Sequence, residues 1–441
     1  MWLPKLDPEK PKHTSLLLEL HRAIASGVLK QNEPLPPQRQ LAYALNVNLS
    51  TVTRAFKEAS AQGLIGGEIG RGTFVLPVSD AKVLFANSTR TENIADLTQI
   101  APIKTNTNLI RDSLQTFSVS DFNEAERYPS HDVLLRAESA AREWSTWRGD
   151  TTRNNDVVIG PGAHALLTSL LSLVVKPGES ILVEAFTFPG IKQAAANLQI
   201  KLIGVKCDAY GLNPQALEAA ISNHDVRYLV CTPNLQNPTG VTMDTVRRRQ
   251  IADIVERTQM TLIEDDVYGS FTNQPPLSAE TKGDHFCVSS LSKCVTPGLR
   301  FGFVTGSCDA LAGLKQEVSM TSWLVAPFML TLATKLIESG KAMDAANNQK
   351  ALIQARSDMA VKIFGKKLDG PATHLWLETP YDSEAFSDFI YAKGIKVLPS
   401  TNFRVGRGGK THIRVSLSAD ISNSELAWSL NLIAQNGAKL T

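Results

Sequence analysis

The sequence predicts an α/β chain of two parts: a small helical head closed by a β-hairpin, then a long body on a mostly parallel sheet. Three observations carry this. At 441 residues and 48.0 kDa the chain exceeds one ordinary core, so two or three domains are expected. Within residues 35–75, two short stretches of helical spacing flank a tight turn, and glycine-rich β-prone runs follow. Farther along, short apolar runs alternate with stretches of helical spacing, which is the pattern of a parallel sheet faced by helices.

The composition is 43% hydrophobic and 20% charged, that of a soluble globular protein, which excludes disorder and fibre. Apolar runs such as residues 166–175 are too short to span a bilayer, so no membrane partner is expected. The N-terminus shows no basic region leading into an apolar stretch, and a cytoplasmic location follows as the expectation. Five cysteines (207, 231, 287, 294 and 308) form no C-x-x-C pair and no cluster with histidine, which predicts reduced thiols and no metal site. Cys294 is expected to serve packing rather than reactivity.

The head, residues 1–78, holds nine basic and six acidic residues, a surplus of +3 that suits a phosphate backbone without requiring one. Residues 12–29 place Leu17, Leu20, Ile24 and Val28 on one helix face, with Gly27 weakening the last turn. A short helix over 39–45, a turn at Asn46-Val47-Asn48 and a second helix over 49–62 form a helix-turn-helix. Leu64-Ile65 and Thr73-Phe74-Val75 bracket four glycines and read as a hairpin wing. In this arrangement the second helix enters the major groove of double-stranded DNA by its N-terminal residues. Ser50, Thr51, Thr53 and Arg54 are the candidates there, with Arg39 and Arg71 on the backbone or the flanking minor groove. The landmarks Leu35-Pro36-Pro37-Gln38-Arg39-Gln40-Leu41-Ala42, Ser50-Thr51-Val52, Gly63-Leu64-Ile65 and Gly70-Arg71-Gly72-Thr73-Phe74-Val75 resemble, in order and spacing, the GntR-type winged helix. Leu49 stands where that family often has Arg.

Residues 79–92 lack periodicity and read as a linker. In the body, residues 181–184, 228–231, 261–264 and 287–289 read as strands, with helical stretches such as 247–257 between them. Ligands in such sheets sit beyond the carboxyl ends of the strands. There the chain carries Thr232-Pro233-Asn234-Leu235-Gln236-Asn237-Pro238-Thr239-Gly240, then Asp265-Asp266-Val267-Tyr268, then Ser290-Leu291-Ser292-Lys293 through Arg300. Asn237, Asp265 and Lys293 follow one another at equal spacings of 28 residues.

Residues 93–441 resemble fold-type I aminotransferases on the Asn-Pro-Thr-Gly, Asp-x-x-Tyr and Ser-x-Ser-Lys…Arg motifs. The resemblance implies pyridoxal 5'-phosphate as cofactor and a smaller α+β subdomain beside the main sheet. Lys293 is then the Schiff-base lysine, and Asp265 holds the pyridine nitrogen protonated. Tyr268 and Asn237 bond the phenolic oxygen. Ser290, Ser292 and Arg300 hold the phosphate together with backbone amides at Gly162-Ala163-His164, which open a helix through Leu171. Phe188 stacks on the ring, and Arg414 grips the carboxylate of an amine or amino acid. Tyr128 is similar to the tyrosine that reaches the phosphate of a neighbouring subunit, which implies a homodimer. The family commonly has Gln or Ser at the place of His164, and the glycine that usually follows the tyrosine is missing after Tyr128. Taken singly, these residues have ordinary counterparts: a surface lysine, a solvated acidic turn, a core aromatic, a structural ion pair. Their joint order is what sets those readings aside.

A reader head on an aminotransferase-like body resembles the MocR-type regulators of the GntR superfamily. That implies a transcription factor that senses pyridoxal phosphate or a small amine. Two rivals stand beside it: an active aminotransferase with a vestigial head, and a DNA-binding protein whose body is only a dimerisation scaffold.

Overall fold

A computed structural model of the chain describes residues 2–4, 6–7, 11–25, 28–29, 34–61, 64–68, 72–75, 94–105, 108–150, 156–306, 310–322, 324–406 and 411–440. Its contacts divide it into two units, Met1–Ala86 and Asn87–Thr441. The segment read as a linker lies outside the described residues.

In the first unit, helices Lys12–Ala25, Gln38–Ala44 and Leu49–Ala61 precede strands Ile65–Glu68 and Gly72–Val75, which pair antiparallel from Ile65↔Val75 to Glu68↔Gly72. Leu16, Leu20, Leu41, Val52, Phe56, Ile65 and Val75 are buried together as a core of this unit's own. The first helix ends at Ala25 rather than at residue 29. Leu29 N instead donates to Ala23 O at 3.0 Å. The turn of the helix-turn-helix is a Schellman close. Asn46 adopts φ +47°, Val47 N donates to Ala42 O at 3.0 Å and Asn46 N to Tyr43 O at 3.2 Å. Asparagine tolerates this left-handed position, so the sequence marks the turn without glycine.

The second unit is built on a seven-stranded sheet. Its order is Asp156–Gly160, Gly302–Gly306, His285–Ser290, Thr261–Asp265, Val226–Cys231, Ser180–Glu184 and Lys201–Val205. Only Gly302–Gly306 runs against its neighbours. Strands in such a sheet are buried on both faces, which is why they read as apolar runs rather than alternating ones. Helices Ala163–Val174 and Pro189–Asn197 pack on one face, and Pro214–Asn223 and Thr245–Thr258 on the other. A smaller antiparallel sheet, in order Leu398–Pro399, His412–Ser416, His374–Glu378 and Lys439–Leu440, has its own core of Leu375, Phe386, Ile413, Leu426 and Ile433. Two residues at the start of the body, Ala95–Asp96, pair parallel with Ile395–Lys396. This threads the next few residues between the two sheets. No described helix is long and apolar enough to cross a membrane.

Candidate functional site

The carboxyl ends of the parallel strands gather the predicted groups. Ser290 is buried at the end of its strand, and Ser292 and Lys293 follow half-buried. Lys293 Nζ donates to Ile100 O at 2.8 Å. Asp265 is buried at the end of the adjacent strand, with Oδ1 accepting from Val267 N at 3.3 Å. Three residues on, Tyr268 is buried, with its hydroxyl beside the Asn237 side chain. Arg414, from the smaller sheet, donates through Nη1 to Asn237 Oδ1 at 2.8 Å and through Nη2 to Thr98 O. Its guanidinium lies 5.0 Å from the Phe403 ring centroid, and its buried Nε has no hydrogen-bond partner among the described residues.

On the other side, the helix Ala163–Val174 begins after Gly162 with no side chain capping its amides. Arg300, exposed and itself left-handed at φ +47°, donates through Nη2 to Pro161 O at 3.1 Å, which brings its guanidinium over that helix start. Gly162 has φ +96° and ψ 158°, a region only glycine enters without strain. A Cβ there would fall 2.5 Å from Arg300 Nη2, so glycine also leaves room for the guanidinium. Uncapped amides beside a guanidinium form an anion site. His164 Nδ1 is buried without a partner among the described residues, and its ring meets Phe188 edge-on at 6.2 Å.

Burial sets the electrostatics. It pulls the Lys293 amine down to about 8, aided by the charges of Arg414 and Arg300 and opposed by Asp265. It pushes Asp265 up to about 6; the Val267 amide and Lys293 oppose the shift, and Asp266 adds to it. Burial likewise raises the Tyr268 hydroxyl above its ordinary range and lowers Arg414 to about 10. An amine that deprotonates this easily is a competent nucleophile, and a buried acid beside it is matched to one cationic partner. A primary amine, a buried carboxyl, an anion site and a ring-facing aromatic together fit a phosphorylated pyridine aldehyde.

Sequence reading missed several groups. Ile100 and Thr98, which meet Lys293 and Arg414, act through backbone carbonyls that no side-chain pattern announces. His374 Nε2 lies 3.0 Å from Gln236 O, and burial together with the Arg414 charge drives its pKa down to about 3. Glu184 is fully buried, and a charged residue closing an apolar run was the signal available for it. Tyr128 is 74% exposed on the turn between helices Val119–Ala125 and His131–Trp147. Cys294 is buried and its thiol is pushed up to about 12 by burial, consistent with packing.

In the first unit, Ser50, Thr53 and Arg54 are exposed and Thr51 half-exposed on the helix Leu49–Ala61, while Val52, Ala55, Phe56 and Ala59 face the core. Arg39 is exposed on the preceding helix. Thr53 Oγ1 donates to Gln38 Oε1 at 2.9 Å and fixes the two helices against each other. Arg54 Nε sits 3.0 Å from Glu58 Oε1. Arg71 lies outside the described residues.

Comparison with known proteins agrees with this division. Residues 14–75 match the bacterial regulatory proteins of the gntR family, and residues 96–431 match aminotransferase class I and II. The uncharacterized HTH-type transcriptional regulator YdeF of Bacillus subtilis is 26% identical, over 98% of this chain and 96% of its own length. The vitamin B6 salvage pathway transcriptional repressor PtsJ of Salmonella typhimurium is 24% identical over 92% of this chain and 94% of its own. Among solved structures, the Pyrococcus horikoshii kynurenine aminotransferase superposes with a TM-score of 0.72 at 20% identity, covering 78% of this chain and 91% of that one, which shows the fold. The chain therefore belongs to the aminotransferase class I and II family and, with a gntR-family reader on the same polypeptide, is a DNA-binding regulator of the MocR type.

Proposed function

We propose that this regulator reads DNA through residues 1–78 and senses pyridoxal phosphate, or an amino-bearing metabolite that meets it, through residues 93–441. The observation that carries the reading is the meeting of Lys293, Asp265, Asn237, Tyr268 and Arg414 from two sheets. When bound, pyridoxal phosphate supplies an aldehyde for an amine and a ring that accepts electron density. Lys293 would hold it covalently and Asp265 would face its ring nitrogen. Tyr268 and Asn237 would bond its phenolic oxygen. Ser290, Ser292, Arg300 and the amides of Gly162, Ala163 and His164 would cradle its phosphate, with Phe188 against the ring. Arg414 would take the carboxylate of an amino-acid effector. Tyr128 would reach the phosphate of the second subunit in a homodimer. Arg39, Ser50, Thr51, Thr53, Arg54 and Arg71 would meet the DNA, in the cytoplasm.

Ligand binding changes DNA affinity only as far as it favours one dimer state over another. The test is operator binding with and without pyridoxal phosphate, for the wild type and Lys293→Ala. A ligand-dependent shift of several-fold is expected in the wild type and its loss in the variant; equal binding in all four arms would refute the reading. A second reading, a working aminotransferase, is favoured by the completeness of the Lys293–Asp265–Arg414 set. Steady turnover of an amino donor with a keto acid at ordinary enzyme rates would decide for it.

A further inference from the structure

Gln236 is the point at which the walls of the pocket are tied together. Its Nε2 donates to Phe186 O at 2.7 Å and to Glu184 Oε2 at 3.2 Å, while its Oε1 accepts from Thr239 N at 3.0 Å and Thr239 Oγ1 at 2.7 Å. Donors and acceptors are matched on both ends of the amide, so its orientation is set by its partners. Phe186 belongs to the loop that carries Phe188, and Thr239 to the loop that carries Asn237. The backbone carbonyl of the same residue meets His374 Nε2 at 3.0 Å, from the strand that pairs with the one bearing Arg414. Adjacent residues thus bridge the two sheets: Gln236 to His374, and Asn237 to Arg414 at 2.8 Å.

Glu184 secures this tie from within. Fully buried at the end of its strand, it accepts from Thr232 N through Oε1 at 3.1 Å and from Gln236 through Oε2. Burying a carboxyl is costly unless hydrogen bonds compensate it, and here both of its partners come from the Asn237 loop. Burial raises its pKa to about 8, and the Thr232 and Gln236 bonds oppose that shift.

We propose that Gln236, anchored by Glu184, is the positioning residue of the cofactor pocket: it sets the Phe188 loop and the Asn237 loop at one separation, so that both meet the pyridine ring. This rests on the proposed pyridoxal phosphate site, and Gln236 acts through Phe188 and Asn237. Partners that orient ligand-holding groups at metal sites cost roughly 10–100-fold in affinity when removed, and a loss of that order is expected here.

The experiment titrates the full-length chain with pyridoxal phosphate, following the visible absorbance, and then measures the pH midpoint of that absorbance. Gln236→Met keeps the length of the side chain and removes every hydrogen bond the side chain makes, leaving the backbone contact with His374; it should weaken binding about tenfold or more and move the midpoint, because Asn237 leaves its place. Glu184→Gln keeps size and loses one of two acceptors, and should move both readouts the same way by less. Wild-type affinity and midpoint in both variants would overturn the proposal, even with a lowered melting temperature, since that would mark a structural role alone. If circular dichroism shows Gln236→Met unfolded, Glu184→Gln decides by the same readouts. A wild type that develops no visible absorbance would fail the cofactor reading itself, and the proposal with it.

Discussion

Lys293 condenses the chemistry of the site into one amine. Its pKa in the fold, about 8, lies below the ordinary 10.5, because burial and two guanidinium charges disfavour the ammonium form. The ammonium therefore costs stability at all pH values below about 8, and the cost lifts as pH rises toward 10.5. The same shift governs reactivity, since only the neutral amine attacks an aldehyde. The rate at which pyridoxal phosphate adds to the chain should climb roughly tenfold per pH unit below pH 8 and level off above it, as followed by stopped-flow absorbance. A rate that kept climbing to pH 10 would mean an unperturbed lysine. The identity of this residue was legible because its neighbours, Ser290, Ser292 and Arg300, form a pattern along the chain. The shift was not legible, because Arg414 stands 121 residues away in sequence.

At the scale of elements, strands and helices were legible wherever burial imposed a period. The strands ending at Glu184, Cys231, Asp265 and Ser290 are apolar because both of their faces are covered, and their ends were therefore readable as the ligand edge. The helix Leu49–Ala61 was legible from the turn at Asn46-Val47-Asn48 before it, and the structure shows its core stripe to be Val52, Ala55, Phe56 and Ala59. That stripe belongs to a core made wholly from the first unit, and small cores have little stability to spare. Phe56→Ala should cost about 3–5 kcal/mol and abolish operator binding, leaving the pyridoxal phosphate absorbance of the body unchanged. Loss of both signals together would contradict the independence of the two cores. Less legible was the short pairing of Ala95–Asp96 with Ile395–Lys396, two residues on each side and 300 positions apart. It is this pairing that carries Thr98 and Ile100 to Arg414 and Lys293.

For the whole molecule, the proposal is a homodimer. Val119 (77% exposed), Phe122 (44%), Tyr128 (74%) and Leu135 (45%) leave apolar surface open on neighbouring helices, which supports it. Sedimentation should give a mass near twice 48.0 kDa. If Tyr128 reaches across, mixing refolded Tyr128→Phe and Lys293→Ala chains should restore one intact site per heterodimer. Pyridoxal phosphate affinity in that mixture should recover in part toward the wild type. A mixture no better than Tyr128→Phe alone would place Tyr128 outside the partner's site.

By itself the sequence determined what short-range order can encode. Amphipathic stripes, the Asn46 turn and the runs Asn237-Pro238-Thr239-Gly240, Asp265 to Tyr268 and Ser290 to Arg300 each lie within a few residues of one another, so their physics is local. Only the tertiary structure decided how these runs meet. The Gln236 tie, the buried Glu184, the His374 contact and the carbonyls of Thr98 and Ile100 all join segments separated by 50 to more than 300 residues. Hydrogen bonds to backbone and desolvation of a carboxyl depend on what surrounds an atom in space, and one sequence carries no record of that until the sheets are assembled.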